Sequence, residues 1–470
     1  MSSIINYTKL FLWSSIYYFQ KERSDTVFKI IIKNIKESGC VTIKFIQWIL
    51  PKIEAIYEID KNNPNHKWFY DLEEVYENCD YHSIDYTKQI YKIDFNRDIN
   101  NDYEIINEVA SGSIGQVYKI KSKYNGKYYA MKVIHPYVSS NLNLIEYLLL
   151  FLYNMPFIKN YSRYYFPINI NDFIRDFRIQ TDMVNEGNNI LHFSNIYKKQ
   201  NTFVVPKAYK FSHNILIMSY EEATTFDNIK SSEYLKYKMI VLNKIFVKNN
   251  EHTHGLMHGD LHKGNWKVRF DKNKNIQIVI YDYGFCFRMP DFLSHDDIMF
   301  IDRSMITPIS NTENFVKACN ILLHYSSSEK SIKQSMEEVK KEMINEGLTT
   351  DGIYDEPLFL INLVLKDSRK NNYLIDSFIF QSIIIHNQLL NNLNKYGINV
   401  RNGEGEHDYY NNQVLNVINM CNTYKICEEY ANIVRKEYDE LKVKRRDLFE
   451  GTDYLKKYNI SIEANNSIET

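Results

Sequence analysis

The chain has 470 residues, room for two or three domains at the usual ~150 residues each. Its 44% hydrophobic and 24% charged residues exclude a largely disordered chain. A net charge of -1, from 57 basic and 58 acidic residues, excludes a global electrostatic case for nucleic acid or an anionic surface.

The segment from Met1 to Lys21 has no acidic residue and holds the apolar run Leu10–Trp13. It lacks both a clean apolar core with a cleavage site and the Arg-rich pattern of a transit peptide. A packing helix is expected there, with membrane-surface contact as the alternative. Phe28, Ile31, Ile32 and Ile35, then Ile43, Phe45, Ile46, Ile49 and Leu50 recur at helical spacing, and Pro51 is expected to close that run. Asp60 to Lys67, with Pro64, reads as a loop, and Phe69 to Cys79 as a helix. The pattern then turns to strands. Asn125-Gly126 between the runs Gln116–Tyr124 and Lys127–Ile134 predicts a hairpin. Residues 141–200 read as helical, Phe203 to Met218 as strand–turn–strand with Pro206 near an edge, and 228–250 as helix. Ile276 to Tyr281 reads as a short apolar strand, 291–450 as mostly helical, and the part after Tyr458 as a polar tail. No apolar run reaches the ~18–20 residues of a membrane span. A soluble or peripheral protein is therefore expected, of α+β class.

Six scattered cysteines without a C-x-x-C pair fit reduced thiols. Glycine is scarce, at 15 residues, so its clusters carry information. Gly259 and Gly264 fall in the segment His258-Gly259-Asp260-Leu261-His262-Lys263-Gly264-Asn265. Asp282-Tyr283-Gly284 follows directly after the Ile276–Tyr281 strand. A D-x4-N and D-x-G pair in this order is the constellation of kinase-like phosphotransferases. Asp260 is placed to take or orient the acceptor proton. Asn265 and Asp282 offer hard oxygen ligands suited to Mg²⁺. Gly284 is expected to turn the chain away after the metal ligand. The same stretch admits a zinc reading, because His254, His258 and His262 are spaced by four and His252 lies beside them. Gly255 and Gly259 argue against the continuous helix which that reading needs.

Upstream, Tyr129-Ala130-Met131-Lys132-Val133 reads as a strand ending on a phosphate-binding lysine, with a helix glutamate as its partner. Ahead of the hairpin, Ala110, Ser111, Gly112, Ser113, Gly115 and Gln116 form a loop whose backbone N–H groups can cradle phosphates. The loop is not G-x-G-x-x-G, which disfavours an ordinary protein kinase.

These residues resemble the UbiB family, also called aarF-domain-containing or ADCK atypical kinases. Gly39–Trp48 is similar to its K-x-G-Q segment, with Lys44 and Gln47 as the motif's lysine and glutamine. Ala110–Val117 is similar to its alanine-rich loop, and Ala130–Pro136 to its A-V-K-V-x-H-P strand end. Gln180-Thr-Asp182 through Glu186 to Asn189 is similar to its E-x-D-x-x-x-E-A-x-N helix. Three positions depart from the pattern. Ile46 replaces the K-x-G-Q glycine, which implies a helix sitting farther out. Gln180 replaces an acid, which removes an ionic partner of Lys44. Ser111-Gly112 breaks the alanine run.

The resemblance implies a protein-kinase-like two-lobed α+β fold with a helical extension. The division it suggests is 1–100 for the extension, 101–220 for a β-rich N-lobe with inserted helices, 221–455 for a helical C-lobe and 456–470 for a tail. It implies Mg²⁺ and ATP as cofactors, Glu186 as the partner of Lys132, and Lys44 and Gln47 as an occluding segment. The implied activity is weak ATPase or lipid-linked phosphotransfer rather than protein phosphorylation. Implied partners are a nucleotide and a prenyl lipid or membrane surface, not nucleic acid. Two alternatives stay open: a small-molecule kinase of the aminoglycoside or choline type, and a silent nucleotide-binding scaffold.

Overall fold

The computed structural model describes residues 2–19, 24–57, 66–73, 81–156 and 167–288, the run 417–436, and single residues or short stretches elsewhere. The expected helices beyond 291 lie largely outside the described residues, as do the polar tail and most of the Asp60–Lys67 loop, whose last residue opens a helix.

The elements described up to residue 102 are helices: α1 Ser2–Phe19, α2 Asp25–Glu37, α3 Cys40–Tyr57, α4 Lys67–Glu73, α5 Ile84–Phe95 and α6 Ile99–Asp102. The helix-spaced residues Phe28, Ile31, Ile35 and Ile43 form one buried cluster, on which Leu10, Trp13, Tyr17 and Ile46 pack. Pro51 does not close the third run. It lies inside α3, where a proline removes one N–H···O bond without necessarily ending the helix. Lys52 curls back beside it, its Nζ donating to the Trp48 carbonyl at 3.0 Å and lying over the Trp48 ring. The strand-like reading after residue 79 missed α5. Its end signals are in the sequence: the Ser83 hydroxyl accepts from the Tyr86 amide, and Asn96 closes the helix in the left-handed region.

Strands β1 Tyr103–Ser111, β2 Gly115–Ser122 and β3 Tyr128–Ile134 follow, with Asn125-Gly126 turning between β2 and β3. Helices α7 Val138–Tyr153, α8 Ile170–Gln180 and α9 Met183–Ile196 come next. The segment expected as strand–turn–strand holds three strands: β4 Phe203–Val204, β5 Ala208–Phe211 and β6 Ile215–Ser219. The five-stranded sheet has the order β1-β2-β3-β6-β5 and is antiparallel throughout. One face closes a core of Tyr91, Ile99, Tyr118, Ile120, Met131, Val133, Ile215 and Ile217. Because side chains alternate along a strand, burying Met131 and Val133 there sends Lys132 to the opposite face.

Strand β7 is Thr224–Thr225, and α10 is Glu233–Asn249, continued by one π-helical turn, Asn250–His254. Strands β8 Leu256–His258, β9 Trp266–Phe270, β10 Ile276–Ile280 and β11 Cys286–Arg288 follow. They form a four-stranded sheet of order β4-β10-β9-β7 and a β8–β11 pair. The chain divides into two compact units, 1–229 with 257–388, and 230–256 with 389–470. The first holds both larger sheets. In the second, α10 and its π turn carry a buried pair, Lys248 to Glu251 at 3.0 Å. The zinc reading fails on backbone: the helix ends at Gly255, at φ 58, so the spaced histidines share no helix face. Among the described residues no cluster of three or more His, Cys, Asp or Glu is arranged for a metal. No described helix is long and apolar enough to cross a membrane.

Candidate functional site

Lys132, Glu186 and Asp282 meet in the first unit. Lys132 comes from β3. Glu186 lies in the first turn of α9, which Asp182 caps: its Oδ1 accepts from the Val184 amide at 2.9 Å. The Lys132 ammonium donates to both Glu186 oxygens, at 2.8 and 3.1 Å, and to Asp282 Oδ1 at 3.0 Å. Glu186 is fully buried and Lys132 nearly so. Burial works against the charged lysine, but Asp282 and Glu186 outweigh it and raise its pKa. Burial likewise opposes the Asp282 carboxylate, and Lys132 and Lys44 reverse this and hold it well below the usual range. Burial pushes Glu186 up to about 6 against the pull of Lys132.

Asp282 sits at the end of β10 with φ 55, a left-handed conformation that aspartate tolerates better than most residues. The chain then turns at Tyr283–Gly284, as expected of Gly284. Gly284 also supplies space: a Cβ there would lie 3.2 Å from Asp282 Oδ1 and 3.5 Å from Glu186 Oε2. Helix α9 also holds this corner directly, through Asn189 Nδ2 to the Tyr283 carbonyl at 2.8 Å and Asn185 Nδ2 to the Gly284 carbonyl at 3.2 Å.

Asp260 follows β8. His258 braces it: His258 Nε2 donates to the Tyr281 carbonyl at 3.0 Å, and its Nδ1 accepts from the Asp260 amide at 3.3 Å. That pattern requires a neutral imidazole, and burial lowers the His258 pKa accordingly. Asn265 donates Nδ2 to the Asp260 carbonyl at 2.7 Å, and its own carbonyl accepts from the Tyr281 amide at 2.8 Å. With the amide nitrogen so committed, Oδ1 is the atom Asn265 offers. An amide oxygen and a carboxylate are a hard donor pair that fits Mg²⁺.

The loop between β1 and β2 spans only Gly112 to Ile114. Ala110 and Ser111 end β1, Gly112 is exposed, and its amide donates to the Gly115 carbonyl at 3.0 Å. Gly115 is required by close approach, because a Cβ there would lie 2.5 Å from the Val133 carbonyl oxygen. Gly115→Ala is expected to cost about 1–3 kcal/mol of stability, read from the midpoint of urea denaturation. Gln116, expected to bind nucleotide, is instead fully buried in β2, where its Oε1 accepts from the His82 amide at 2.8 Å.

Helix α3 supplies the remaining residues. Lys44 Nζ lies 3.2 Å from Asp260 Oδ2, and Gln47 Oε1 accepts from Ser113 Oγ at 2.9 Å. One helix thus touches both the segment around Asp260 and the loop of β1–β2. Burial acts to raise the Asp260 pKa, but Lys44 and His262 outweigh it and keep the carboxyl below its ordinary value. Ile46 does not push the helix outward, because it packs into the extension's own cluster. Gln180 does not leave Lys44 without an acid, because Asp260 fills that place.

Two contributors were not foreseen. Lys52, eight residues after Lys44, is buried, and burial pushes its pKa down to about 7 against the pull of Asp176. It donates to Gln381 Oε1 at 3.3 Å, and Gln381 Nε2 donates to the Gly259 carbonyl at 2.9 Å. Lys52 lies on the face that carries Lys44, so helical period pointed to it. Nothing local marks Gln381.

A family model described as ABC1 atypical kinase-like domain matches residues 74–299. The chain carries an ABC1 atypical kinase-like domain. It is 29% identical over 200 residues to AarF domain-containing kinase 1 of Drosophila melanogaster, covering 40% of this chain and 37% of that protein. It is 24% identical over 294 residues to the ABC1 family protein MCP2 homolog of Schizosaccharomyces pombe, covering 56% and 48%. In both cases the match spans less than half of the relative's own length. A solved structure from Mycobacterium tuberculosis, the complex of Rv3197 with erythromycin, aligns at a TM-score of 0.44 and 19% identity, covering 56% of this chain and 66% of that one. The ABC1 match makes the α+β arrangement that of a kinase-like fold; it covers Lys132, Glu186, Asp260, Asn265 and Asp282, while Lys44 and Gln47 lie ahead of it.

Proposed function

We propose that this ABC1-domain protein binds Mg²⁺-ATP and acts as a self-occluded enzyme of the phosphotransferase class, with weak ATPase activity and no transfer to general protein substrates. The observation that carries this reading is the Lys44–Asp260 contact at 3.2 Å. Asp260 is the residue that would orient an acceptor hydroxyl, and a lysine from the helical extension already occupies its carboxylate. Lys132, fixed by Glu186, would hold the nucleotide phosphates, and the Gly112–Ile114 loop would cover them. Asn265 and Asp282 would hold the metal, whose charge neutralises the phosphates. Asp260 stays ionised beside Lys44 and is the acceptor-orienting group once that lysine moves away. A water molecule reaches such a site more easily than a serine on a folded protein, which favours slow hydrolysis. A prenyl lipid or a headgroup at a membrane surface remains our proposed acceptor or regulator.

The test compares the unmodified protein with Lys44→Ala. ATP turnover is expected to be slow at first and to rise about tenfold on loss of the lysine, because one charged contact of roughly 1.4 kcal/mol no longer masks the base. Vigorous casein or histone phosphorylation by the unmodified protein would overturn the occluded reading.

A further inference from the structure

Beneath the β1–β2 loop runs a line of buried polar groups that the phosphotransfer residues do not use. His135 follows β3 and is buried. Its Nε2 lies 3.0 Å from the Gly112 carbonyl oxygen and 3.3 Å from Ser111 Oγ. Its Nδ1 lies 2.8 Å from Nδ1 of His82, which precedes α5. His82 Nε2 lies 2.8 Å from Thr87 Oγ1, and that hydroxyl lies 2.8 Å from the Tyr118 hydroxyl. His82, Thr87 and Tyr118 are all buried, and the His82 amide is anchored on Gln116.

The proton positions follow from one fixed end. A carbonyl only accepts, so His135 Nε2 carries a proton and donates to Gly112. A neutral His135 then has a bare Nδ1, which must accept from the N–H of His82 Nδ1. His82 is left with a bare Nε2, which accepts from the Thr87 hydroxyl, and the Thr87 oxygen in turn accepts from Tyr118. The two rings contact each other through the same kind of atom, so a second proton between them would break the line. Burial keeps both rings neutral, lowering the pKa of His82 to about 4 and that of His135 in the same direction.

We propose that His135, His82 and Thr87 are positioning residues for the nucleotide loop: His135 Nε2–H holds the Gly112 carbonyl and keeps the loop in one conformation, and His82 and Thr87 complete the hydrogen bonds of the one tautomer that can do so. The strut rests on its own geometry. Only its effect on nucleotide affinity rests on the functional reading above.

Two replacements at one position separate this from general packing. Glutamine carries its amide about as far out as the imidazole Nε2, so His135→Gln can still donate to Gly112. Asparagine ends at the reach of Nδ1, so His135→Asn can meet His82 but not the loop. Thr87→Val removes the hydroxyl that satisfies His82 Nε2 at nearly constant volume. Amide hydrogen exchange over residues 109–117 is measured on the full chain without nucleotide, together with the Kd for ATP in Mg²⁺. Loop exchange is expected to rise about five- to tenfold, the worth of one hydrogen bond, in His135→Asn and Thr87→Val, and to stay near wild type in His135→Gln. The Kd is expected to follow the same split. Equal loop exchange in all four proteins would overturn the strut, even if their melting temperatures differ. If wild type binds no ATP while loop exchange still separates Gln from Asn, the strut stands and the nucleotide reading falls. Should His135→Asn not fold, Thr87→Val carries the comparison with His135→Gln alone.

Discussion

Glu186→Ala should destabilise the protein by about 3 kcal/mol and weaken ATP binding together with it. Removing one partner of a buried ion pair typically costs ~3–5 kcal/mol, because the remaining charge is left without compensation. Glu186 is fully buried and receives two of the Lys132 hydrogen bonds, at 2.8 and 3.1 Å. The effect belongs at the lower end of that range, since Asp282 still faces the lysine at 3.0 Å. That same residual contact explains the expected loss of binding. Without Glu186 the ammonium is drawn wholly onto Asp282, and each then occupies the group the other needs for phosphate or metal. Urea denaturation would show the stability loss as a lower midpoint at unchanged slope. A midpoint within experimental error of wild type would mean that the buried pair contributes nothing net to the fold.

The parts of the site legible in the sequence are those in which local spacing does the work. The D-x4-N and D-x-G segments each lie within a few residues, and the strand between them is short and apolar. The Asn125-Gly126 turn fixes the β2–β3 register, and with it the face on which Lys132 emerges. The Lys132–Glu186 contact joins residues 54 positions apart, and Lys44–Asp260 joins residues 216 apart. Pairings of that range are set by packing, which propensity does not encode; the family resemblance pointed to the first, and for the second only to Lys44 as part of an occluding segment.

The misreadings have physical causes. Helix α5 is rich in tyrosine and isoleucine, residues that favour strands, and its caps at Ser83 and Asn96 were the better guide. Pro51 reads as a stop because proline cannot donate to the turn before it, yet a helix packed along one face tolerates the missing bond. The sequence neighbours of Gln116 point to the nucleotide, whereas strand alternation turns it into the interior beside His82. The left-handed backbone of Asp282 leaves no mark in the sequence, whereas the turn at Gly284 does.

Asp282→Asn should abolish the Mg²⁺-dependent part of nucleotide stabilisation while leaving a small metal-independent part. Asparagine keeps the shape of the side chain but loses the carboxylate charge, and a divalent ion then faces two neutral amide oxygens instead of one amide and one carboxylate. Lys132 keeps Glu186, so the phosphate contact proposed for it should survive. Asp282 holds a left-handed backbone at φ 55, which asparagine also tolerates, so the fold itself should be spared. With ATP at a hundredfold over its Kd, the unmodified protein is expected to gain about 2.7 kcal/mol of stability. In the variant, melting curves with ATP should be the same with Mg²⁺ as with EDTA, and both should lie near the ligand-free curve. The apo melting temperature serves as the control, because a fall there would report the loss of the Lys132 contact rather than of a metal ligand. An Mg²⁺-dependent shift in Asp282→Asn as large as in the unmodified protein would remove Asp282 from the metal site and leave Asn265 without its partner there.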